Sequence, residues 1–499
     1  MSKPFYITTT LPYVNAEPHI GFAFELVSAD IIARYEKLLG YEVFFNTGTD
    51  EHGTKVWEKA KEEGKDPQAY TDAYAEKFKG LKEPLGLLPE INFIRTTDKH
   101  HVAAAQEFWR RCKASGDIYK KNYRVKYCVG CELEKTDSEL VDGRCAVHPH
   151  LEPQVIEEEN YFFRLSNYQQ KLLNLYDENP DFVIPAFRLN EVRSLIKEKG
   201  LEDFSISRLK SKMPWGVSVP DDEEHVMYVW FDALVNYISA IGWPDDMKTF
   251  EKWWPVVQFA GKDQVRQQAV MWQAMLMSAS IAPSRQIVIH GFIQSGGQKM
   301  SKSLGNVIDP LKLVEEYGTD ALRFYLARHI HPFEDSDFTM EKFKEAYNAD
   351  LANGLGNLVS RVMKMYVSFF DEPITLPTRE YVLEMCNDGW ESLWKPMEDY
   401  RLDVFLEQLW ASIGKGFDEG EDVNKSKSIG TLDWFIQTTE PFKKIKTHPA
   451  EAKKHIWYLI HWLWYISIEL EPIMPQTAET IQKLILEHNM PEKPLFPRK

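Results

Sequence analysis

The stretch PFYITTTLPYVNAEPHIG, residues 4–21, decides the fold class of this chain. Its first seven residues, 4–10, are rich in β-branched and aromatic side chains and predict a strand. A loop follows over residues 11–18, and helical periodicity then runs over residues 21–39 and stops at Gly40. Residues 41–47 predict a second strand, so the chain opens as a βα unit.

The same alternation returns later in the chain. Residues 256–260 predict a strand that leads into Gly261, residues 264–280 predict a helix, and residues 286–290 predict another strand. Strands that alternate with helices indicate a Rossmann-like, doubly wound parallel sheet, in which ligands bind at the carboxyl ends of the strands. The rhythm breaks between residues 118 and 220, which indicates an insertion, and the chain after residue 341 is helical throughout.

Composition limits the class of protein. Hydrophobic residues make up 44% and charged residues 27% of the 499 residues, as in ordinary soluble globular proteins. No apolar run is long enough to span a membrane, and no secretory signal precedes the first strand. The five cysteines do not form a disulfide framework, so we expect a cytoplasmic protein. A net charge of −16 argues against nucleic-acid binding through bulk charge but leaves room for a local basic path.

Pro18-His19-Ile20-Gly21 stands where the first helix begins. A helix N-terminus attracts phosphate through its free N–H groups and its dipole, and glycine allows a ligand to approach the backbone. His19 could donate a hydrogen bond to a phosphate oxygen. Taken alone, a histidine at this position is more often a polar cap.

A basic loop, Lys299-Met300-Ser301-Lys302-Ser303, follows Gly296-Gly297. Lys299 and Lys302 could close over a polyphosphate and stabilise the charge that develops on a leaving group, an effect worth roughly 10²–10³-fold in rate per group. The spacing is not that of a P-loop. Taken alone, the stretch is a solvated basic loop.

Cys128-x2-Cys131-x13-Cys145-x2-His148 has the spacing of a four-coordinate zinc knuckle. Four protein ligands close the coordination sphere, so the predicted Zn²⁺ is structural. His150 is an alternative fourth ligand, but the two-residue gap favours His148. Cys112 and Cys386 are predicted to be core residues.

Together, the His-Ile-Gly helix start and the Lys-Met-Ser-Lys-Ser loop resemble the two signatures of class I aminoacyl-tRNA synthetases. Four further stretches resemble the methionyl-tRNA synthetases within that class, and the resemblance runs from about residue 4 to residue 475. These stretches are TLPYVN (10–15), GTDEHG (48–53), YVWFDAL (228–234) and NADLAN (348–353).

The resemblance implies a division of the chain and a set of roles. The expected segments are a first catalytic half (1–117), a connective insertion with the zinc knuckle (118–225), a second catalytic half (226–294), a loop and stem-contact region (295–345) and an all-α anticodon-binding bundle (346–499). The implied catalytic residues are His19, Lys299 and Lys302, and the implied ATP-binding residues are Gly21, Gly261, Asp263 and Lys302. The implied methionine-binding residues are Leu11, Tyr13, Asp50, Trp230, Ala233, Leu234, Tyr237 and His290.

Three residues of the helical region have an implied role toward RNA. Asn357 and Arg361 stand four apart, on one helix face. In the family the matching pair reads the anticodon CAU, and an aromatic residue at the position of Phe442 stacks on its first base. Taken alone, an Asn and an Arg on a helix are most often surface residues.

The sequence departs from the family at several positions. Phe22 replaces the second histidine of the first signature, and a phenylalanine cannot donate to ATP. Gln267, Gln268 and Gln273 stand where the family usually has Phe, His and Pro, and Gln268 can hydrogen-bond but cannot titrate. Phe442 replaces a tryptophan. These changes bear on rate and fidelity and leave the fold assignment intact.

The implied function is that of a methionine–tRNA ligase. The expected substrates are L-methionine, ATP with Mg²⁺, and both initiator and elongator tRNA(Met), and the expected state is a monomer, since no further C-terminal module follows residue 499. One alternative is a synthetase for leucine, isoleucine or valine, which would carry a larger editing insertion. The other is a synthetase-like RNA-binding protein that has lost catalysis, an alternative supported only by Phe22 and Gln268.

Overall fold

The computed structural model describes residues 3–131, 133–135, 139–300, 305–382, 391–411 and 429–499. These residues form two compact units. The first unit comprises Met1–Pro18, Glu42–Lys82 and Pro89–His290, and the second comprises His19–Tyr41, Glu83–Leu88 and Gly291–Lys499.

The first unit is built on a six-stranded sheet in which every pair of neighbours is parallel. The predicted α/β fold with a doubly wound parallel sheet is therefore confirmed. In spatial order the strands are Asn92–Arg95, Glu42–Thr49, Pro4–Thr8, Val257–Gly261, Gln286–His290 and Val183–Ile184.

The second strand continues two residues beyond its predicted end, to Thr49. Gly48 pairs with Ile94 of the neighbouring strand, and a Cβ atom at Gly48 would lie 1.8 Å from the Ile94 carbonyl oxygen. Only glycine fits this approach, so Gly48, which lies beyond the predicted end of the strand, is an internal strand position.

Helices of the first unit pack against this sheet and against one another. In chain order the α-helices are Thr54–Glu62, Pro67–Lys79, Lys99–Ala114, Gln169–Glu178, Ala186–Lys199, Val229–Ala233, Asn236–Ser239, Met247–Trp253 and Trp272–Ser278, and 3₁₀ turns lie at Leu165–Tyr168 and Lys262–Gln264. Phe108 and Trp109 are fully buried and place their ring centroids 5.7 and 5.2 Å from that of Phe231. Such aromatic contacts dominate the energetics of a core.

The predicted helix 264–280 is not uniform. It begins in the 3₁₀ turn, continues as a π-helix over Arg266–Met271 and becomes α-helical at Trp272. The side-chain Nε2 of Gln273 donates to the backbone carbonyl of Gln268 at 2.9 Å, while the backbone N–H of Trp272 reaches back to the carbonyl of Gln267. The Gln268 carbonyl therefore accepts a hydrogen bond from a side chain within the π-helical stretch.

The break in the βα rhythm corresponds to antiparallel structure. Four strands pair in the spatial order Phe204–Ser205, Gln154–Phe163, Ile118–Cys128 and Leu133–Lys135. Leu140–Val141 and Arg144–Cys145 form a hairpin, and Ser207–Leu209, Asp222–Met227 and Ser218–Val219 form a three-stranded sheet. One strand of this region, Val183–Ile184, instead pairs in parallel with Gln286–His290 at the edge of the six-stranded sheet.

The second unit is mainly helical. Its α-helices are Ile20–Leu38, Pro310–Tyr317, Thr319–Arg328, Met340–Ala346, Asn357–Phe369, Glu391–Glu398, Leu402–Trp410, Ile429–Thr439, Pro441–Lys444, Pro449–Leu470 and Pro475–Leu486, with a π-helix at Tyr347–Gly356. A small sheet joins Ile293–Ser295 to Gln298–Lys299 and Ser336–Asp337. Among the described residues, no helix has the length and hydrophobicity needed to cross a bilayer.

A buried ion pair fixes the first helix within the second unit. Arg323 and Asp30 are fully buried and 2.7 Å apart. Arg323 also donates to the carbonyl oxygens of Ile473 and Pro472, at 2.7 and 2.9 Å. The guanidinium therefore joins the helix Ile20–Leu38 to the segment before the last helix, and its charge is compensated by an anion and by carbonyl dipoles.

Candidate active site and metal centre

The polar residues that end the parallel strands lie at one edge of the sheet. Gly261 and His290 are register partners at the ends of neighbouring strands. Across the sheet, Tyr13 forms an isolated parallel bridge with Asp50, and the backbone N–H of Asp50 donates to the Pro12 carbonyl at 3.0 Å. This is the edge at which a doubly wound sheet binds its ligands.

The loop after the second strand is anchored through Glu51. The Arg95 guanidinium donates to both carboxylate oxygens of Glu51, at 2.6 and 2.8 Å, and Thr49 and Thr97 donate to the same carboxylate at 2.7 and 2.5 Å. Glu51 is fully buried. A carboxylate that is satisfied on both oxygens holds the backbone of its neighbour Asp50 in place.

A second buried carboxylate fixes the same loop from the other side. One oxygen of Asp232 accepts from Nδ1 of His52 at 2.6 Å, and the other accepts from Nε2 of His101 at 2.9 Å. Nδ1 of His101 lies 2.9 Å from the hydroxyl of Ser239. Burial raises the pKa of Asp232, but the two imidazoles outweigh burial and hold that pKa at about 2. Asp232 therefore stays ionised inside the core.

Two of the aromatic residues predicted to hold an amino-acid side chain contact each other, and one of them, Tyr13, pairs with Asp50 of this loop. The ring centroids of Tyr13 and Trp230 lie 6.1 Å apart in an edge-on contact, and the Lys55 ammonium lies 4.7 Å from the centroid of the Tyr13 ring. The short helix Val229–Ala233 carries Trp230, and Ala233, Leu234, Tyr237 and His290 are also buried, whereas Leu11 and Tyr13 are half-buried.

The three glutamines named as departures, Gln267, Gln268 and Gln273, are buried. Gln268 is 1% exposed and donates to the hydroxyl oxygen of Tyr237 at 2.8 Å. Gln258 donates to the side-chain carbonyl of Gln268 at 3.0 Å, and Gln273 lies behind them. Buried amides with several hydrogen bonds are fixed in orientation.

In the second unit, His19 is the N-cap of the helix Ile20–Leu38. Its Nδ1 accepts from the backbone N–H of Gly21 at 3.1 Å. Because Nδ1 is an acceptor, the ring proton of a neutral His19 lies on Nε2, and His19 is exposed. A Cβ atom at Gly21 would lie 3.0 Å from Cε1 of His19 and 4.0 Å from the Met300 methyl, so this glycine leaves room for both side chains.

The basic loop is held at its base by a hairpin. Lys299 pairs with Gln294 through the backbone, and the turn residues Gly296 and Gly297 have φ values of +63° and +71°, which favour glycine. The backbone N–H of Gly297 donates to Asp337 at 2.8 Å and lowers the pKa of that carboxyl. The side chain of Lys299 and the whole of Lys302 lie outside the described part of the chain.

The predicted zinc ligands come together. The ligand atoms of Cys128, Cys131, Cys145 and His148 all lie within 4.8 Å of one another. Sγ of Cys128 is 3.8 Å from Nδ1 of His148, and Sγ of Cys131 is 3.6 Å from Sγ of Cys145. Tetrahedral zinc with bonds of about 2.3 Å to sulfur separates its ligands by about 3.8 Å, so the four residues fit the ion.

A glycine makes this cluster compact. A Cβ atom at Gly130 would lie 2.4 Å from Cγ of His148, so no larger residue fits between the first two cysteines without displacing the imidazole. His150 is outside the cluster, and its ring centroid is 6.1 Å from that of His148. Cys112 is a buried free thiol, as predicted, and Cys386 lies outside the described residues.

Comparison with known proteins decides the family. The family model for class I tRNA synthetases of the methionine group, described as tRNA synthetases class I (M), matches residues 5–150 and 133–363. A methionine–tRNA ligase of Thermotoga maritima is 41% identical, and the alignment covers 98% of this chain and 76% of that protein. The chain belongs to the methionyl-tRNA synthetases.

Solved structures agree with this assignment. A Mycobacterium tuberculosis methionyl-tRNA synthetase in complex with methionyl-adenylate has a TM-score of 0.86 and 37% identity to this chain, and the match covers 97% of this chain and 94% of that one. The apo form of that synthetase has a TM-score of 0.80 and 32% identity, covering 100% of this chain and 99% of that one. The predicted family and enzyme class are confirmed.

Within this family, the predicted anticodon residues lie on described helices of the second unit. Asn357 is exposed at the start of the helix Asn357–Phe369, and Arg361 forms an ion pair with Asp433 of the helix Ile429–Thr439. Phe442 is 43% exposed, and the Lys443 ammonium lies 5.8 Å from its ring centroid. Their role in reading RNA stays a prediction.

Sequence reasoning missed the buried polar residues that position the pocket. His52 and Asp232 lie inside stretches that resemble methionyl-tRNA synthetases, yet neither was predicted to have a role. The signal was present in Asp232, a single carboxylate in the apolar run 228–235, because an acidic residue there must find a buried partner. Sequence spacing alone could not identify His101 as that partner, since the two are 131 residues apart.

Proposed function

We propose that this chain is the methionine–tRNA ligase of its source. It would activate L-methionine with ATP to methionyl-adenylate and pyrophosphate, and then transfer the methionyl group to initiator and elongator tRNA(Met). The observation that carries the proposal is 41% identity over 98% of the chain to a methionine–tRNA ligase. The similarity in fold to a synthetase bound to methionyl-adenylate supports it.

The first step is an in-line attack of the methionine carboxylate on the α-phosphorus of ATP. The Asp50 carboxylate, at the carboxyl edge of the sheet, would pair with the substrate ammonium. Tyr13, Trp230, Ala233, Leu234 and Tyr237 would hold the side chain, because a soft thioether favours aromatic contacts. Leu11 and His290 would complete the wall of this pocket.

ATP would contact the predicted ATP-binding and catalytic residues. Nε2 of His19 would donate to a phosphate oxygen while Nδ1 caps the helix. Lys299 and Lys302 would neutralise charge on the phosphates as pyrophosphate leaves, and catalysis would come from positioning and electrostatics. Gly21 would allow the phosphates to approach the helix N-terminus, and Gly261 and Asp263 would hold adenosine. ATP would enter as its Mg²⁺ complex, in which the metal offsets phosphate charge.

In the second step, the terminal adenosine hydroxyl of tRNA attacks the mixed anhydride and AMP leaves. We assign residues 346–499 to recognition of the CAU anticodon, through Asn357, Arg361 and stacking on Phe442. The remaining segments of the proposed architecture are the catalytic halves 1–117 and 226–294, the insertion 118–225 and the stem-contact region 295–345. We propose that the enzyme acts in the cytoplasm, where a tRNA-dependent function fits, and that it acts there as a monomer.

Cys128, Cys131, Cys145 and His148 would hold a structural Zn²⁺. The four ligands close a tetrahedral sphere, so the ion has no open position for catalysis and stabilises the fold of the insertion. The spacing of their ligand atoms, within 4.8 Å of one another, supports this role.

The deciding experiment is methionine-dependent ATP–pyrophosphate exchange, with leucine and isoleucine as controls, followed by aminoacylation of tRNA(Met). We expect exchange with methionine alone, and transfer only to tRNA with a CAU anticodon. Absence of exchange with every amino acid, in folded protein that contains zinc, would contradict the proposal and favour a non-catalytic RNA-binding role. Exchange with leucine or isoleucine would assign the chain to another amino acid.

A further inference from the structure

One tryptophan of the antiparallel part of the first unit contacts three consecutive residues of the loop that carries Asp50. The indole Nε1–H of Trp215 donates to the carbonyl oxygen of Glu51 at 2.6 Å. The carbonyl oxygen of Trp215 accepts from the backbone N–H of Gly53 at 3.4 Å, and its ring centroid lies 5.6 Å from that of His52 in an edge-on contact. We refer to these three contacts as the Trp215 clasp.

The parallel sheet fixes the side of this loop that follows the second strand. The backbone N–H of Asp50 donates to the Pro12 carbonyl at 3.0 Å, and the backbone N–H of Glu51 donates to the hydroxyl of Thr96 at 2.9 Å. Thr96 directly follows the edge strand Asn92–Arg95. The backbone at Asp50 is therefore tied to the sheet on this side.

The Trp215 clasp fixes the opposite side of the loop, where the chain leaves the sheet. Gly53 is the N-cap of the helix Thr54–Glu62, and its φ of +106° favours glycine. Between the strand and this helix, the carbonyl of Glu51 and the N–H of Gly53 both bond to Trp215. Because Glu51 is fully buried, loss of the indole donor would deprive a buried carbonyl oxygen of its partner, and the loop would shift.

Trp215 is itself held against the segment that leads to Trp230. Two residues after Trp215, the Val217 carbonyl accepts from the backbone N–H of Met227 at 2.7 Å. Met227 ends the strand Asp222–Met227, and Trp230 lies on the short helix that begins two residues later. The clasp therefore joins the loop of the proposed ammonium-binding carboxylate to the stretch that carries proposed side-chain-binding residues.

We infer that Trp215 is a positioning residue for methionine, and that it acts through Asp50 by holding this carboxylate where the substrate ammonium binds. This inference rests on the proposed function. A binding group must be held within a fraction of an ångström of its productive position, so a shifted loop would weaken the ion pair. The ammonium does not react during adenylation, so its ion pair contributes equally to the bound substrate and to the transition state. Loss of such a contact raises KM and leaves kcat unchanged.

The first test is methionine-dependent ATP–pyrophosphate exchange by the full chain and its Trp215→Phe variant, which keeps an aromatic ring but lacks the N–H donor. We expect the KM for methionine to rise about tenfold, as for loss of one hydrogen bond, with kcat and the KM for ATP unchanged. The matched control is Trp254→Phe. Trp254 is also half-buried, and its Nε1–H donates to the Ala282 carbonyl at 2.9 Å, so the same kind of bond is lost outside the loop and the KM for methionine should not change.

A second test asks whether the effect passes through Asp50. Methioninol keeps the ammonium group of methionine, whereas the deamino analogue of methionine keeps the carboxylate and the thioether and has no ammonium. As competitive inhibitors of exchange, methioninol should bind Trp215→Phe about tenfold more weakly than the unmodified chain, and the deamino analogue should bind both equally. A defect in the pocket as a whole would weaken both inhibitors, and that result would overturn the positioning role.

The outcomes separate the inference from the proposed function. If the unmodified chain exchanges with methionine and Trp215→Phe has an unchanged KM for methionine, the positioning role is contradicted and the proposed function stands. If Trp215→Phe does not fold, a tryptophan analogue with sulfur in place of the indole N–H, inserted at position 215, keeps the shape of the side chain and decides by the same measurement. If the unmodified chain activates no amino acid, the proposed function fails and the inference fails with it.

Discussion

Asp232 accepts hydrogen bonds from His52 at 2.6 Å and from His101 at 2.9 Å, and it is fully buried. His52 lies two residues after Asp50, and Asp232 lies two residues after Trp230. The buried pair therefore fixes the distance between the two stretches that carry the proposed ammonium-binding and side-chain-binding residues. Rigid support of this kind determines how accurately a site is formed.

The pH dependence of stability should reveal this carboxylate. The folded-state pKa of Asp232 is about 2, below the usual value, so its ionised form stabilises the fold above about pH 4, and that contribution is lost as the pH falls toward 2. Asp232→Asn should lower the melting temperature by several degrees at pH 7. The difference in melting temperature between the unmodified chain and Asp232→Asn should shrink as the pH falls below 4. Thermal unfolding followed by circular dichroism would measure it. A difference that grows in acid would contradict this account.

Two neighbouring carboxylates should behave in opposite ways. Asp50→Asn should lower kcat/KM for methionine about 100-fold, because the ion pair with the substrate ammonium is lost. Its melting temperature should be nearly unchanged. Glu51→Gln should lower the melting temperature, because Glu51 is fully buried against Arg95, Thr49 and Thr97. Kinetics of pyrophosphate exchange and thermal unfolding, measured on both variants, separate the roles. Loss of stability in Asp50→Asn equal to that in Glu51→Gln would refute the division.

The metal site has a steric test. Gly130→Ala should displace His148, because its Cβ would lie 2.4 Å from the imidazole, and the variant should bind less than one zinc per chain by elemental analysis. Gly143→Ala is the control in the same region, because nothing lies within 4 Å of a Cβ atom there. Its φ of +76° strains alanine, whereas Gly130 has no such φ, so zinc loss caused by backbone strain alone would be larger in the control. Full zinc content in both variants would show that His148 is not a ligand.

The parallel sheet was predictable because β-branched strands and the helices after them carry local signals. The π-helix Arg266–Met271 was not predictable, because the helical periodicity of residues 264–280 carries no sign of where the turn widens. The zinc ligands were predictable because their spacing is local. The hydrogen bond from Gln268 to the hydroxyl of Tyr237 was not predictable, because the two residues are 31 positions apart and a glutamine carries no sign of its partner.

Arg361 offers a test that separates RNA recognition from amino-acid activation. Its guanidinium pairs with Asp433, to which Gln437 also donates at 2.5 Å. Arg361→Ala should lower kcat/KM for tRNA(Met) in aminoacylation by about 100-fold or more and leave methionine-dependent pyrophosphate exchange unchanged. Asp433→Asn should weaken aminoacylation less, because it loosens the guanidinium without removing it. Equal losses in exchange and aminoacylation would place Arg361 in a structural role.

His19 has two roles that substitution can separate. Its Nδ1 caps the helix through Gly21, and its Nε2 would donate to a phosphate oxygen. Asparagine is a good N-cap residue, so His19→Asn should keep the melting temperature while lowering kcat for pyrophosphate exchange roughly 10²–10³-fold. Gly21→Ala keeps the imidazole but places a Cβ atom 3.0 Å from it, so we expect an intermediate loss of activity. Full activity in His19→Asn would exclude the imidazole from phosphate binding and leave the helix N-terminus as the group that attracts the nucleotide.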